Sequence, residues 1–508
     1  MRPVLLTIVI PLVAGACIGI SLPPFGIWPL AIVAIAVLSR YLEGRSWRTR
    51  LLAGLLAGIG QFSIGLAWAV QFNAGGYVVL VLAESLFVAV ACLLIPPGRG
   101  RIPGVLGLLV LAEIAREYFP FGGLPLGGIA LGQMDGPIAG TARLGGPLLV
   151  TGVVCLAGVG LGELVRWAPF PYDAEPRARA NNGAGMLVVA VLICVAGVFS
   201  PDGGAPAGTV RVAVVQGGGT RGLDQLQVPA SVVFEAALRP TQRLPRGFGL
   251  VLWPEDVVAL GGPLAGSAEE AELAAAARHL HATLVVGVTE PVGATRFLNE
   301  IVAFSPAGRV VATFEKVHRV PFGEYVPYRS FFRHIANLSD IPRDAIPGTG
   351  SGMIATPAGH LAVLVSFEVF FADRGRSGVR AGGRLILVPT NTSSYSASQA
   401  PAQEIAASQL QAIEEGRDLV QAAPTGFSAV ISNRGAVLAE SGLGSEDVIE
   451  QSVPLRAGAT IYERFGDVPV VVLAGLLALV AWAVAFRGSP LAFRLRRRLR
   501  RQREGRQR

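Results

Sequence analysis

Three polar side chains follow short apolar runs that are typical of buried strands, and together they could perform acyl transfer. Glu255 follows LVLWP, Lys316 follows VVATFE, and Ser366 follows LAVLV. Ligands of open α/β sheets bind at the carboxyl ends of strands, so these side chains could meet at one edge. Glu255 would accept the proton of the nucleophile Ser366, and the Lys316 ammonium would stabilise the oxyanion. Spacing alone leaves open the alternative of ordinary strand-end residues that face solvent.

Lys316 attracts attention for a second reason. It is the only lysine among the 43 lysine and arginine residues of the chain. An amine can lose its proton in a protein, whereas a guanidinium effectively cannot. This bias motivates a role for the amine and by itself establishes none.

The composition indicates a membrane protein. Of the 508 residues, 52% are apolar and 15% are charged, whereas soluble globular proteins carry about 25% charged residues. The four cysteines lie inside long apolar runs and none falls between 201 and 466. They are therefore interpreted as packing residues, and the region 201–466 has neither a thiol nor a disulfide.

Eight apolar segments approach the length of about 20 residues that a membrane span requires. Basic residues lie in alternate connections between them, and the C-terminal segment FRLRRRLRRQREGRQR is strongly basic. The positive-inside rule then places both termini in the cytoplasm and residues 201–466 outside it. The predicted spans are residues 4–21, 27–42, 51–72, 77–96, 103–119, 143–165, 185–200 and 467–486.

The predicted fold is a membrane α-helical bundle of about eight transmembrane helices plus an extracytoplasmic α/β domain. From residue 210 onward, near-continuous apolar runs of strand length alternate with helical patterns, as in a layered α/β domain. The predicted division is a seven-helix transmembrane region at 1–200, the outer domain at 201–466, the last transmembrane helix at 467–487 and a basic cytoplasmic tail at 488–508. Directly after a span, such a tail favours a topology signal or anionic-lipid contact over nucleic-acid binding.

Two segments could shape lipid access to the outer domain. Residues 119–140 are rich in Gly and Pro and are predicted to form either a plain loop or an arm in the outer interface. Phe331 and Phe332, in YRSFFRHI, are predicted either to cover a lateral lipid entrance or to pack under the domain.

Longer motifs resemble the apolipoprotein N-acyltransferase family. LWPED contains Glu255, EKVHRVPFGEYVP contains Lys316 and Glu324, and VSFE contains Ser366 and Glu368. The resemblance covers nearly the whole chain and includes LPPFGIWPL (22–30), LGQMDGPIAGTARLGG (131–146) and TIYERFGDVPVV (460–471).

The resemblance implies a multi-pass enzyme of the bacterial plasma membrane whose outer domain is a nitrilase-like α-β-β-α sandwich. It implies transfer of a fatty acyl chain from a phospholipid donor to the N-terminal diacylglyceryl-cysteine amine of a lipoprotein, through an acyl-enzyme. Glu255 would be the general base, Lys316 would stabilise the tetrahedral intermediate, and Ser366 holds the nucleophile position. The implied supporting residues are Glu324, Glu368, Phe367 and Asn391. No cofactor and no metal is implied, and the five histidines lack a convincing ligand arrangement.

The chain departs from the family pattern around the nucleophile. Ser366 stands where the family has cysteine, and Phe367 stands where it usually has tyrosine. The loop NTSSYSASQ (391–399) keeps Asn391 but differs from the family's acidic, tryptophan-bearing loop. An alkoxide forms much less readily than a thiolate, and serine nucleophiles usually rely on a histidine base.

Three hypotheses therefore stay open at the level of sequence. The first is a working N-acyltransferase that uses Ser366, or an acyltransferase with shifted substrates. The second is a catalytically silent homologue that binds lipid or lipoprotein, or that assists a membrane-protein partner. The third is a nitrilase-like membrane amidase with another substrate.

Overall fold

The computed structural model of the protein describes residues 2–165, 176–222, 227–334, 338, 341–395 and 398–487. Within these ranges the α-helices are α1 (Arg2–Ser21), α2 (Pro29–Leu42), α3 (Trp47–Gly65), α4 (Ala74–Leu94), α5 (Arg101–Tyr118), α6 (Ala142–Leu164), α7 (Pro176–Phe199), α8 (Ala230–Gln242), α9 (Ala268–Leu280), α10 (Arg329–Phe332), α11 (Ala372–Arg380), α12 (Ala400–Glu415), α13 (Ile461–Phe465) and α14 (Val468–Arg487). The predicted tail 488–508 lies outside the described residues.

The strands occupy the region between α7 and α13. They are β1 (Pro206–Gln216), β2 (Leu250–Leu252), β3 (Val258–Ala259), β4 (Thr283–Val292), β5 (Arg296–Phe304), β6 (Val310–Glu315), β7 (Asp344–Ala345), β8 (Met353–Thr356), β9 (Gly359–Val363), β10 (Leu385–Pro389), β11 (Leu419–Ala422), β12 (Ala429–Ile431), β13 (Val437–Glu440) and β14 (Asp447–Arg456).

Helices α1 to α7 and α14 form a bundle. In the described part of the chain, four stretches are long and apolar enough to cross a membrane: Ala74–Leu94, Ala139–Leu164, Arg177–Phe199 and Val468–Arg487. The helix expected over 51–72 ends earlier, at Gly65, and a 3₁₀ helix follows at Ala67–Gln71. The helix expected over 185–200 begins earlier, at Pro176.

Small residues bring α14 close to α5. A Cβ atom on Gly100 would lie 2.1 Å from the carbonyl oxygen of Ala481, and one on Gly107 would lie 2.4 Å from that of Ala474. Any larger side chain at these two glycines would push the helices apart. Lipid tails are as apolar as helix side chains, so the hydrophobic effect does not drive helices together within a bilayer. Faces of small residues instead allow close van der Waals packing between the helices.

Two β-sheets form the centre of the domain between α7 and α13. The first has eight strands, in the order β14-β1-β2-β4-β5-β6, with β3 beside β4 and β7 beside β5. The second has six strands, in the order β13-β12-β11-β10-β9-β8. Strands β1, β2 and β4 are parallel, and so are β9, β10 and β11. The carboxyl ends of each parallel set therefore lie at one edge of their sheet.

Alternate side chains of the central strands enter different apolar layers. On β1, Val212 and Val214 lie in the layer between the sheets, whereas Ala213 lies in the layer shared with α8 and α9. On β10, Leu387 faces the layer between the sheets and Ile386 faces α12. Helices thus cover both outer faces, which explains the continuous apolar runs in the sequence. The predicted α-β-β-α sandwich is confirmed.

Glutamine side chains of the loop before α12 and of α12 itself hold the sandwich against the bundle. Gln403 Nε2 donates to the Gly65 carbonyl (2.8 Å), and Gln399 Nε2 donates to the Ile64 carbonyl (2.6 Å). The last carbonyls of a helix such as α3 have no partner within that helix. Gln403 Oε1 also accepts a hydrogen bond from the Gly127 amide (3.2 Å). One apolar cluster continues from β10 through α12 into the bundle, so the two parts share a core.

The buried Arg116 of α5 anchors the Gly- and Pro-rich stretch that follows this helix. Its guanidinium donates to Glu84 (2.6 Å) and Glu113 (3.0 Å), and to the carbonyls of Leu124 (3.0 Å) and Leu126 (2.8 Å). Moving Arg116 away from its buried carboxylate partners would leave uncompensated charges, so its position is fixed. Its bonds to the carbonyls of Leu124 and Leu126 therefore hold the stretch as an ordered arm beside the sandwich.

Replacing Gln403 by leucine should destabilise the junction between sandwich and bundle. The change leaves the Gly65 carbonyl and the Gly127 amide buried without partners, each at a cost of about 1–3 kcal/mol. We expect a lower melting temperature of the detergent-solubilised protein. Gln409→Leu is the matched control on the same helix, since Gln409 donates only to the Gly435 carbonyl, away from the bundle. Equal melting temperatures for the two variants would contradict this account of the junction.

Candidate active site

The structure brings Lys316 together with two carboxylates. Lys316 directly follows β6, and Glu255 lies three residues beyond the end of β2. Lys316 Nζ donates to Glu255 Oε1 (2.8 Å) and to Glu324 Oε1 (3.0 Å). The lysine side chain is only 2% exposed. Three residues predicted from different parts of the sequence thus form one buried cluster.

The surroundings of Lys316 keep its amine charged. Burial alone would lower its pKa, but the neighbouring carboxylates of Glu255 and Glu324 outweigh burial and raise the pKa above its ordinary value. At neutral pH the side chain is therefore an ammonium. It can donate hydrogen bonds to an oxyanion, and it cannot act as a base.

Asn299 is a member of this cluster that the sequence interpretation missed. Its Nδ2 donates to Glu255 Oε1 (2.8 Å) and to Glu324 Oε1 (2.7 Å), and its carbonyl accepts from the Lys316 amide (2.9 Å). The amide group holds the two carboxylates on either side of the ammonium. The available signal was the polar pair Asn299 and Glu300 in the middle of the largely apolar strand RFLNEIVAF.

Glu368 ties the lysine loop to the residue before the nucleophile position. Its Oε1 accepts from the amides of Val317 (2.9 Å) and His318 (3.1 Å), and its Oε2 accepts from the Val365 amide (2.9 Å). Burial raises the pKa of Glu368, while the nearby Arg374 and these amides oppose the shift. Glu368 acts through the backbone on both sides of the site, which makes it a positioning residue.

Ser366 occupies a strained position after β9. Its φ angle is +50°, in the left-handed region that favours glycine, and the residue is 5% exposed. Such a conformation costs about 1–3 kcal/mol and tends to occur at functional sites. Among the described residues the Ser366 hydroxyl has no hydrogen-bond partner. No base is therefore aligned with it in this resting structure.

Phe367 lies on the wall of a cavity next to Ser366. The cavity has a volume of about 160 Å³. Its walls come from the arm after α5, the loop after Lys316 and the turn after β9, and its lining residues are Phe121, Gly122, Val317, His318, Arg319, Tyr325 and Phe367.

Asn391 lies in the loop after β10 and organises that loop. Its Oδ1 accepts from the Ser393 amide (3.1 Å), and no bond joins it to Lys316 in the described part of the chain. Four residues after Asn391, Tyr395 packs against Trp68 and Phe72, with its ring centroid 5.5 and 5.6 Å from theirs. The loop therefore rests on the segment that follows α3.

A second group of titratable side chains surrounds the cluster and was also missed. Burial raises the pKa of Glu404 to about 8, although a hydrogen bond from Thr390 opposes the shift. Burial raises the pKa of Asp256 to about 6, although a hydrogen bond from Thr289 opposes it. Sequence alone shows a carboxylate on a helix or after a strand, and it does not show this depth of burial.

The described residues contain no group of three or more His, Cys, Asp or Glu side chains arranged to hold a metal ion. The arrangement of Glu255, Lys316 and Ser366 instead offers a carboxylate, a permanent ammonium and a hydroxyl. These are the parts of a site for covalent acyl transfer.

Replacing Lys316 by methionine should destabilise the protein in a pH-dependent way. Two buried carboxylates would face each other without a cation, at a cost of about 3–5 kcal/mol near neutral pH. The folded variant would then take up protons more readily than the unfolded chain, so its stability should rise as the pH falls. The melting temperature, followed from pH 8 to pH 5, measures this. A loss of melting temperature that is the same at pH 8 and at pH 5 would refute the ion pairs of Lys316. Adding Glu255→Gln to the variant should recover part of the loss at pH 8.

Comparison with known proteins agrees with the two-part architecture. Residues 14–160 match the family model "Apolipoprotein N-acyltransferase N-terminal domain", and residues 211–462 match the model "Carbon-nitrogen hydrolase". The apolipoprotein N-acyltransferase of Geobacter metallireducens is 29% identical over 506 residues, which cover 93% of this chain and 94% of the relative. That of Mycolicibacterium smegmatis is 29% identical over 519 residues, which cover 95% and 86%.

Among solved structures, Saccharomyces cerevisiae Nit3, of the nitrilase superfamily, is 21% identical with a TM-score of 0.36. The alignment covers 49% of this chain and 91% of Nit3. The two family models cover different parts of the chain, and the two relatives align with it over nearly its whole length. The chain therefore belongs to the apolipoprotein N-acyltransferase family.

Proposed function

We propose that this protein is a membrane N-acyltransferase that moves a fatty acyl chain from a phospholipid to the N-terminal diacylglyceryl-cysteine amine of a lipoprotein. The observation that carries the proposal is the buried Lys316 ammonium, held between Glu255 and Glu324 at the strand ends. The agreement with named N-acyltransferases over nearly the whole chain supports the substrate class.

In the first half-reaction, Ser366 Oγ attacks the ester carbonyl of the phospholipid while Glu255 takes the hydroxyl proton. The Lys316 ammonium donates to the oxyanion of the tetrahedral intermediate. The bond to the glycerol oxygen then breaks, and Glu255 returns the proton to that oxygen. A lysophospholipid leaves, and the acyl chain stays on Ser366 as an ester.

In the second half-reaction the lipoprotein amine attacks this ester. Glu255 accepts the amine proton and returns it to Ser366 Oγ as the carbon–oxygen bond breaks, which leaves an amide on the lipoprotein. In the resting site, Asn299 Nδ2 and Lys316 Nζ both donate to Oε1 of Glu255. Among the residues described, Oε2 has no such contact, so it is the oxygen we assign to the proton transfers.

One observation supports a second candidate, a catalytically silent homologue that binds lipid or lipoprotein or assists a membrane-protein partner. The Ser366 hydroxyl has no hydrogen-bond partner among the described residues, and an alcohol needs an aligned base more than a thiol does. Catalytic hydrogen bonds are often loose before substrate binds. Acyl-enzyme formation therefore separates the two candidates.

We further propose eight transmembrane helices, with both termini in the cytoplasm and residues 201–466 outside the plasma membrane. Charged residues at one end of the bundle support this topology. There, Arg179 pairs with Glu43 (2.5 Å) and Glu163 (3.2 Å), and Arg101 also pairs with Glu163. Helices α3 and α5 begin at this end and finish beside the sandwich. Arginines are retained preferentially on the cytoplasmic side, which places the sandwich on the opposite side in the proposed topology.

An aromatic cluster supports a lateral lipid entrance beside the cavity. It consists of Phe121, Phe322, Tyr328, Phe331 and Phe332, whose neighbouring ring centroids lie 4.9–6.5 Å apart. Most of these rings are exposed. Exposed apolar patches of this kind mark contact with lipid or protein.

Intact-mass spectrometry after incubation with phospholipid tests the proposed nucleophile. We expect an added acyl mass on the unmodified protein and none on Ser366→Ala. Ser366→Cys should acylate faster, because a thiolate forms more readily than an alkoxide. An adduct on Ser366→Cys alone would reject catalysis by serine and favour the silent candidate, and release of ammonia from a small amide would favour an amidase.

Replacing Phe332 by aspartate should weaken phospholipid engagement while the fold stays intact. A carboxylate in the aromatic cluster has to be desolvated when a lipid tail passes. Lipid retained per purified protein and melting temperature together measure the effect. Leu438→Asp is the control, since Leu438 is half exposed on β13, far from the cluster. Unchanged lipid retention in Phe332→Asp would remove the support for this entrance.

A further inference from the structure

The cavity beside Phe367 contains a positive charge that the acyl-transfer chemistry does not use. Arg319 lines the cavity three residues after Lys316. Its Nη1 donates to the Ala345 carbonyl (2.8 Å), and its guanidinium lies 4.0 Å from the ring centroid of Tyr325. These two contacts hold the guanidinium in one orientation at the wall, so its place does not depend on a ligand.

Arg319 lacks a carboxylate partner among the described residues. Asp344 is close enough for the charge of Arg319 to lower its pKa further, but its carboxylate is engaged by Arg329 at 2.6 and 3.1 Å. Tyr325 donates its hydroxyl to the Phe121 carbonyl (2.9 Å). No carboxylate of the described residues is therefore bonded to the remaining N–H groups of Arg319. A fixed guanidinium with unused donors suits the oxygens of a phosphate group.

The place of the cavity in the fold matches the depth of lipid headgroups. Its floor, Phe121 and Gly122, follows the end of α5 at Tyr118 by only a few residues. Tyr118 and Phe119 are exposed. Aromatic side chains at helix ends are typical of the membrane interface, where lipid phosphates lie.

The same cavity adjoins the nucleophile position. Phe367 belongs to its wall and directly follows Ser366. Its volume of about 160 Å³ leaves room for a phosphate group. A phosphate in this space would lie beside the residue that attacks the ester carbonyl of the same lipid.

We propose that this cavity binds the phosphodiester of a membrane phospholipid, with Arg319 as its principal ligand. The assignment rests on the proposed function, because it makes the bound lipid the acyl donor. It explains how the site would select a phospholipid over a neutral diacylglycerol with identical chains. The aromatic cluster would admit both lipids, and only the phospholipid carries the anion that Arg319 recognises.

Native mass spectrometry of the full-length Ser366→Ala protein in detergent tests the proposal without acyl transfer. The probes are dioleoylphosphatidylglycerol and dioleoylglycerol. We expect the phospholipid to bind about tenfold more tightly, the size of one charge-assisted contact. Adding Arg319→Gln should abolish this preference. Arg333→Gln is the matched control, because it removes an exposed charge from the same region outside the cavity.

Equal binding of both lipids, or a preference that survives Arg319→Gln, would overturn the proposal. Millimolar inorganic phosphate should not displace the phospholipid. Displacement that depends on Arg319 would assign the cavity to free phosphate and overturn the lipid assignment. The outcome is separate from that of the acyl-enzyme test: an Arg319-dependent preference without acylation rejects only the chemistry, and acylation without the preference rejects only this phosphate site.

Discussion

The buried ammonium of Lys316 is the interaction on which the rest of the site depends. An ammonium inside a protein is tolerated only when anions and hydrogen-bond acceptors replace its lost water. Glu255 and Glu324 meet that need, and they come from the end of β2 and from the loop after β6. The ends of β2 and β6 and the loop that carries Glu324 must therefore come together when the protein folds. In the proposed reaction, an ammonium prepared in this way would need no rearrangement to meet the oxyanion.

Sequence reasoning singled out Glu255, Lys316 and Ser366 as candidates because polar residues at the ends of apolar strands stand out, and their roles stay a prediction. It missed Asn299 because its partners follow from strand pairing, and pairing between β5 and β6 is not visible in a linear pattern. It extended the third span beyond Gly65 because hydropathy does not register glutamine caps supplied from residue 399 onward. The α-β-β-α layering was predictable, since strands buried on both faces leave continuous apolar runs.

Helix α12 connects the chemistry to the membrane part of the molecule. One face packs on the second sheet, and its glutamine side chains complete the end of α3. Glu404 lies on the same helix, one residue from the junction. Helix α12 and the loop before it, through Gln399 and Tyr395, together set the position of the site relative to the bundle. Such placement suits a substrate whose reactive group enters from a bilayer at a fixed depth.

The close contact of α14 with α5 has a consequence for biogenesis. Gly100 and Gly107 present a groove that α14 fills, and α14 emerges from the ribosome more than 340 residues after α5. During synthesis α5 therefore lacks this partner until the chain is nearly complete. The whole sandwich is synthesised in that interval. The pairing of α5 with α14 therefore closes the bundle only after the sandwich has left the ribosome.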